Sequence, residues 1–230
     1  MKVRIKFSKT GALVYIGHLD VMRFFQKLFR RADIPIAYSE GFSPHQILSF
    51  SHPLPLGMES EGEYADIELT DTITSEVAIA RLQSKTVPEI TVLSFKQLPG
   101  RSENAMASVR AARYLVDLSR FDECGKVISA INDFMAQDSI VVTKTTKKST
   151  KDEDIRPYIY EMTEKGTNCI EVLIASGSQY NLKPELVMKA IFDMAGIVLD
   201  ENDLVMKRLE QYTMSDNKLV SLDDIGTVIS

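Results

Sequence analysis

Three histidines, His18, His45 and His52, all fall in the first quarter of the chain. Imidazole titrates near neutrality, so each of them could act as a general acid, a general base or a metal ligand. Carboxylates lie close by in sequence at Asp20, Glu63 and Asp66. No two of the histidines have the i,i+4 helical spacing or the short loop spacing typical of zinc, so neither a metal nor another cofactor is expected. Glu63 and Asp66 point to opposite faces of a regular strand, which argues against a paired-carboxylate mechanism. No nucleophile stands beside a base. His18 and Asp20 open a helix, and a helix start offers free N–H groups and partial positive charge to a phosphate or carboxylate. On this reading His18 and His45 face one anion. On the plainer one, Asp20 only caps the helix and His18 bonds a backbone carbonyl.

The stretch YSEGFSPHQILSFSHPLPLG, Tyr38 to Gly57, carries His45 and His52 between prolines and glycines. Gly41 and Gly57 can take positive φ, and Pro44, Pro53 and Pro55 forbid ladder donation. A segment so constrained holds one shape at low entropic cost, which suits a binding loop. Ser39, Gly41, Phe42, Pro44 and His45 are its candidate contacts.

Charge is uneven. Residues 1–32 hold Lys2, Arg4, Lys6, Lys9, Arg23, Lys27, Arg30 and Arg31 against the single acid Asp20, although the whole chain has a net charge of −5. Segment 144–156 adds Lys144, Lys147, Lys148, Lys151 and Arg156. A basic strand face next to a basic helix can follow a phosphate backbone, and Tyr15, Tyr38 and Phe42 can stack on bases. Cys124 and Cys169 lie too far apart for a metal or redox motif and read as reduced thiols. No apolar run of spanning length occurs, and the N-terminus lacks a signal-peptide pattern, so a soluble cytoplasmic protein with no membrane contact is expected.

These residues need elements to position them. KVRIKF alternates with period two, placing Val3, Ile5 and Phe7 inward and Lys2, Arg4 and Lys6 on a basic outer face. Asp20 is expected to cap a helix over Val21–Ala32 whose apolar stripe is Val21, Phe24, Phe25, Leu28 and Phe29. IPIAYS and EGEYADIEL read as strands, Thr72 or Thr74 starts a second helix, and EITVLSFKQL closes the unit. The same order recurs after residue 107, ending in the strand NDLVMKRLEQY. The expectation is an α+β fold of two ferredoxin-like (βαββαβ) units with antiparallel sheets. The first spans 1–98 with the Pro/Gly-rich 39–57 as an insertion, a linker covers 99–107, and the second unit spans 108–230.

The chain also resembles a bacterial family of radical-SAM-linked proteins, found beside or fused to a B12-binding-type radical SAM protein. The resemblance rests on Gly17-His18-Leu19-Asp20, Arg30-Arg31-Ala32, Ser39 to His45, Pro53 to Gly57, Glu63-Tyr64 with Asp66, DIRP at Asp154–Pro157 and NLKP at Asn181–Pro184. One departure weakens any cationic contact at the loop: the family follows Pro-His with a proline and a basic residue, and here Gln46 and Ile47 stand. The resemblance implies a radical SAM protein encoded nearby as partner. This chain lacks the CxxxCxxC motif that would hold the radical-generating cluster.

The leading expectation is an accessory protein that presents RNA through a cleft of His18, Asp20, Arg30, Arg31 and the 39–57 loop, joined by Arg156 and Lys183 from the later motifs. The rival is an RNA-modifying or RNA-cleaving enzyme with His18 or His45 as acid or base. A protein-interaction adaptor is third.

Overall fold

The computed structural model describes residues 1–145 and 150–230. The fold is mixed α+β, with antiparallel sheets and few helices. Two compact units are present: 1–110 with 208–230, and 111–207.

Strand β1 (Lys2–Lys9) lies at the centre of the first unit. Helix α1 (His18–Arg31) follows it, then the short β2 (Leu48–Phe50), β3 (Glu59–Glu68), α2 (Ser75–Gln83) and β4 (Ile90–Gln97). β1 pairs antiparallel with β3 on one side and β4 on the other, and β2 pairs antiparallel with β3. The order is therefore β4-β1-β3-β2. Val3, Ile5 and Phe7 turn toward α1, where Val21, Phe25, Leu28 and Phe29 are buried against them. Each such side chain taken fully from water contributes roughly 1.5–3 kcal/mol. Thr74 caps α2, its hydroxyl accepting from Val77 N.

Several expectations change here. Gly17, not Asp20, is the N-cap of α1, and the helix starts three residues before the expected Val21. Asp20 instead lies in the first turn and pairs with Arg23 at 3.2 Å, both side chains well exposed. IPIAYS forms no strand; it makes only isolated bridges, Ile36 with Leu69 and Tyr38 with Gln46.

Of the basic outer face of β1 only Lys2 is exposed; Arg4 and Lys6 are covered. Arg4 is 2% exposed and grips Asp66 with Nε at 2.7 Å and Nη2 at 2.9 Å. Lys6 pairs with Glu210 at 2.7 Å. Two later segments cover this face. Residues 99–107, read as a linker, hold most of helix α3 (Ala105–Ser108), and Ala105 N donates to Asp66 Oδ2. The C-terminal segment supplies Leu222, which packs with Tyr64, Ala105 and Val109 in a second small core. Period-two alternation shows which residues share a face, but not whether distant chain covers it.

In the second unit come β5 (Ala111–Asp117), α4 (Cys124–Ser129), α5 (Ile131–Met135), β6 (Val141–Thr145), β7 (Thr150–Asp154), β8 (Ile159–Glu164), β9 (Cys169–Ala175) and α6 (Pro184–Met194). β9 lies between β5 and β8, antiparallel to both. Residues 120–137, whose sequence reads as one helix, form two, α4 and α5, which meet at Ala130. The charged sequence KKSTKDED, which reads as a loop, ends in strand β7, paired with β6 as a hairpin, and Lys147 and Lys148 lie outside the described residues.

Strand β10 (Val205–Ser215) was expected to close the second unit. From Arg208 onward it belongs to the first, where it lies beside β3. It is followed by β11 (Lys218–Ser221) and β12 (Thr227–Val228), which pair with β10 and β4.

Candidate functional site

The first unit holds two groups of candidate side chains, both anchored on α1. One is a cleft at the helix start. It is lined by Lys9 and Phe7 from β1, His18 and Val21 from α1, Glu63 from β3, and the turn from Phe50 to Leu54 that carries His52. His18 stands edge-on to the Phe50 ring, with centroids 5.6 Å apart. Arg208 lies behind the cleft, 0% exposed. Its Nε and Nη2 donate to Glu63 Oε1 at 3.0 and 2.6 Å, and Nη2 also reaches the His52 carbonyl at 2.9 Å. Beside it Gln211, also fully buried, donates to Ser51 Oγ and the Gly62 carbonyl.

Lys9 is 3% exposed, and its ammonium donates to the Ile16 carbonyl at 3.2 Å. Burial pulls its pKa below the ordinary lysine value; Glu63 opposes the shift and Arg208 adds to it. Burial, then Arg208, likewise lowers the His52 pKa, with Glu63 again opposing, so the imidazole is biased toward its neutral form. In both groups burial is the largest cause, and it outweighs the nearby carboxylate.

The second group is an arm, residues 37–47. Backbone bonds tie its two sides together: Ile47 N to the Ala37 carbonyl, and Ser39 N to the His45 carbonyl. At its tip Ser39 Oγ and His45 Nδ1 are hydrogen-bonded at 2.9 Å, and Gly41 has φ +108°, a backbone state that side chains rarely permit. Phe42 at the tip is fully exposed, and Tyr38 is about half exposed. Gln46 Nε2 fastens the arm to α1 by donating to the Gln26 carbonyl at 3.2 Å; Arg30 Nε donates to the same carbonyl at 3.3 Å. The arm and a cation of α1 therefore meet on one atom. Arg23, Gln26, Lys27 and Arg30 form one helical stripe, and Arg23, Lys27 and Arg30 are exposed on it. Arg31 is exposed as well, with its guanidinium 5.9 Å from the Phe24 ring centroid.

The structure divides the candidates accordingly. Arg30 meets the base of the arm at the Gln26 carbonyl, which Gln46 shares; Ser39, Gly41, Phe42, Pro44 and His45 lie on that arm. His18 does not join them: the arm is fixed at Gln26, eight residues further along α1, about 12 Å of helix axis away. His18 is instead brought to His52. Arg156 and Lys183 belong to the second unit. Arg156 turns inward, clamping the Met135 carbonyl with Nε and Nη2 and the Ile159 carbonyl with Nη1. Lys183 is the exposed residue preceding α6. Among the described residues, no three His, Cys, Asp or Glu side chains gather as a metal site requires, and no helix is long and apolar enough to cross a membrane.

Lys9 and Arg208 were missed as partners of the histidines. Lys9 had a signal, since it continues the parity of the inward Val3, Ile5 and Phe7. Arg208 had none, being one cation in a strand of mixed character.

The model of a family of uncharacterized proteins conserved in bacteria, DUF2344, matches residues 2–184. The chain belongs to this family. Its description carries no activity. A search of curated proteins gave no match. Among solved structures the chain is similar to one in a Cbf5–Nop10–Gar1 complex, at 13% identity and a TM-score of 0.46, over 96% of this chain and 53% of that one.

Proposed function

We propose that this DUF2344 protein is an accessory protein of a radical SAM enzyme, and that it presents single-stranded RNA along the outer face of α1 and the adjoining arm. The observation that carries the reading is the shared Gln26 carbonyl, which joins the arm bearing exposed Tyr38 and Phe42 to the cationic helix α1. Aromatic faces stack on unpaired bases while guanidinium and ammonium groups follow the phosphates, a combination that binds single strands. The strand order β4-β1-β3-β2, with helices after β1 and β3, supports reading the first unit as ferredoxin-like. In the second unit the order β5-β9-β8, with helices after β5 and β9, supports the same reading. The partnership rests on the sequence resemblance. With two cysteines 45 residues apart, the thiolates of a radical-generating cluster belong to the partner.

The reading moves the RNA surface away from the face of β1, where Arg4 and Lys6 are spent on Asp66 and Glu210. It also takes Arg156 out of the contact set. Fluorescence anisotropy with a labelled 12-nucleotide RNA tests it. Arg30→Glu/Arg31→Glu is expected to weaken binding at least tenfold. Phe42→Ala is expected to cost about 1–3 kcal/mol, the worth of one base stack. Unchanged affinity in both variants overturns the reading. The radical SAM protein encoded nearby is expected to co-purify with the wild-type chain.

A further inference from the structure

Among the described residues, the Lys9 ammonium in the cleft at the start of α1 makes no ion pair, its one acceptor being a carbonyl. Lys9 and Arg208 are buried cations, and Glu63 is the buried acid among them. Arg208 takes Glu63 Oε1 through two nitrogens. Lys9 keeps three N–H donors, and among the described residues only the neutral Ile16 carbonyl accepts from them. A buried ammonium with one neutral acceptor is costly unless an anion completes its shell. His18, from α1, and His52, from the turn after β2, border the same space and bring two imidazoles to it.

The shape limits what can enter. The cavity volume is ≈20 Å³, so about one water-sized group, such as one oxygen of an anion whose other oxygens stay at the mouth, fits its floor and a whole nucleotide does not. Pro53 at the rim is exposed, which leaves the mouth open to solvent. A carboxylate offers two coplanar oxygens to donor-bearing side chains carried on three different elements. A tetrahedral oxyanion offers an oxygen to each.

We propose that this cleft binds the phosphoryl group of a phosphate monoester, with Lys9 as counter-ion and His18 and His52 donating to its outer oxygens. The site lies at the opposite end of α1 from Arg30 and Arg31 and does not depend on RNA presentation there.

The chain's three histidines make the test clean, because a ¹H–¹³C correlation spectrum shows three ring Cε1–H signals and His45 serves as the internal control. Inorganic phosphate is titrated at constant pH and at ionic strength matched with chloride. The signals of His18 and His52 are expected to shift saturably while His45 stays in place. Lys9→Met is expected to raise the half-saturating phosphate concentration at least tenfold. His52→Gln, a change at a partly exposed side chain, is expected to weaken the His18 response severalfold, and it keeps the test decisive if Lys9→Met does not fold. Replacing phosphate with a 5′-phosphorylated or a 5′-hydroxyl dinucleotide separates the sources. A response to the phosphorylated dinucleotide at lower concentration than to free phosphate assigns the group to an RNA end; tighter binding of free phosphate assigns it to a small anion. Shifts that fail to saturate, that include His45 equally, or that persist unchanged in both variants overturn the proposal.

Discussion

Replacing Arg208 with methionine tests how the cleft is held together. The substitution keeps much of the side-chain volume and removes the guanidinium. Glu63, 8% exposed, then loses both donors to Oε1, and the His52 carbonyl loses its 2.9 Å partner. Breaking a buried ion pair by removing one partner costs about 3–5 kcal/mol, because the remaining charge stays desolvated. For a protein of this size that corresponds to a fall in Tm of about 6–20 °C. The exposed pair Asp20–Arg23 is the contrast: its removal by Asp20→Ala is expected to change stability by no more than about 0.5 kcal/mol. The chain has no tryptophan, so far-UV circular dichroism in urea is the assay. Adding Glu63→Leu to Arg208→Met is expected to recover most of the loss, since a buried pair replaced by apolar groups is often neutral. A loss below about 1 kcal/mol for Arg208→Met, or a double variant as unstable as the sum of both singles, refutes the reasoning.

Other expectations follow from the same packing. A Cβ on Gly62 would lie 2.7 Å from Glu210 Cα and 2.8 Å from the Leu209 carbonyl oxygen, both backbone atoms of β10. Gly62→Ala is therefore expected to destabilise by about 1–3 kcal/mol, measured in urea. The His52 pKa is lowered in the folded protein, so the unfolded chain binds the proton first as pH falls. Wild-type stability should thus be full above the unfolded value of about 6.5 and decline as pH drops below it; in His52→Gln this part of the slope should vanish between pH 7 and pH 5. Tyr64 is buried and donates its hydroxyl to Glu210, which pushes its pKa far above the ordinary tyrosine range. Spectrophotometric titration should accordingly find one tyrosine silent until the protein unfolds in alkali.

The sequence made α1, α2, α6 and most strands legible because apolar spacing, Thr74 as a cap and Pro184 in a first turn are local signals, but not α3 or the break at Ala130. It also carried the parity of Lys9 and Glu63 with the inward residues of their strands. What it did not show was non-local. Arg4 sits on the polar parity of β1, and only segment 99–110 and Leu222, far along the chain, turn that face into a second core. Arg208 reaches Glu63 across 145 residues. His18 and His45 share a motif-rich stretch, but a helix's length separates them, because the Gln46 side chain anchors the arm at Gln26. The basic character of α1 was readable from composition; its junction with the arm at the Gln26 carbonyl needed the fold.

The salt dependence of RNA affinity tests the central claim most directly. A single strand neutralised by about three cations of α1 should give a slope of log affinity against log salt near −2, since each contact contributes about −0.7. The Arg30→Glu/Arg31→Glu variant should flatten that slope by more than half. A wild-type slope near zero, or one that the charge reversal leaves intact, contradicts RNA presentation on this face.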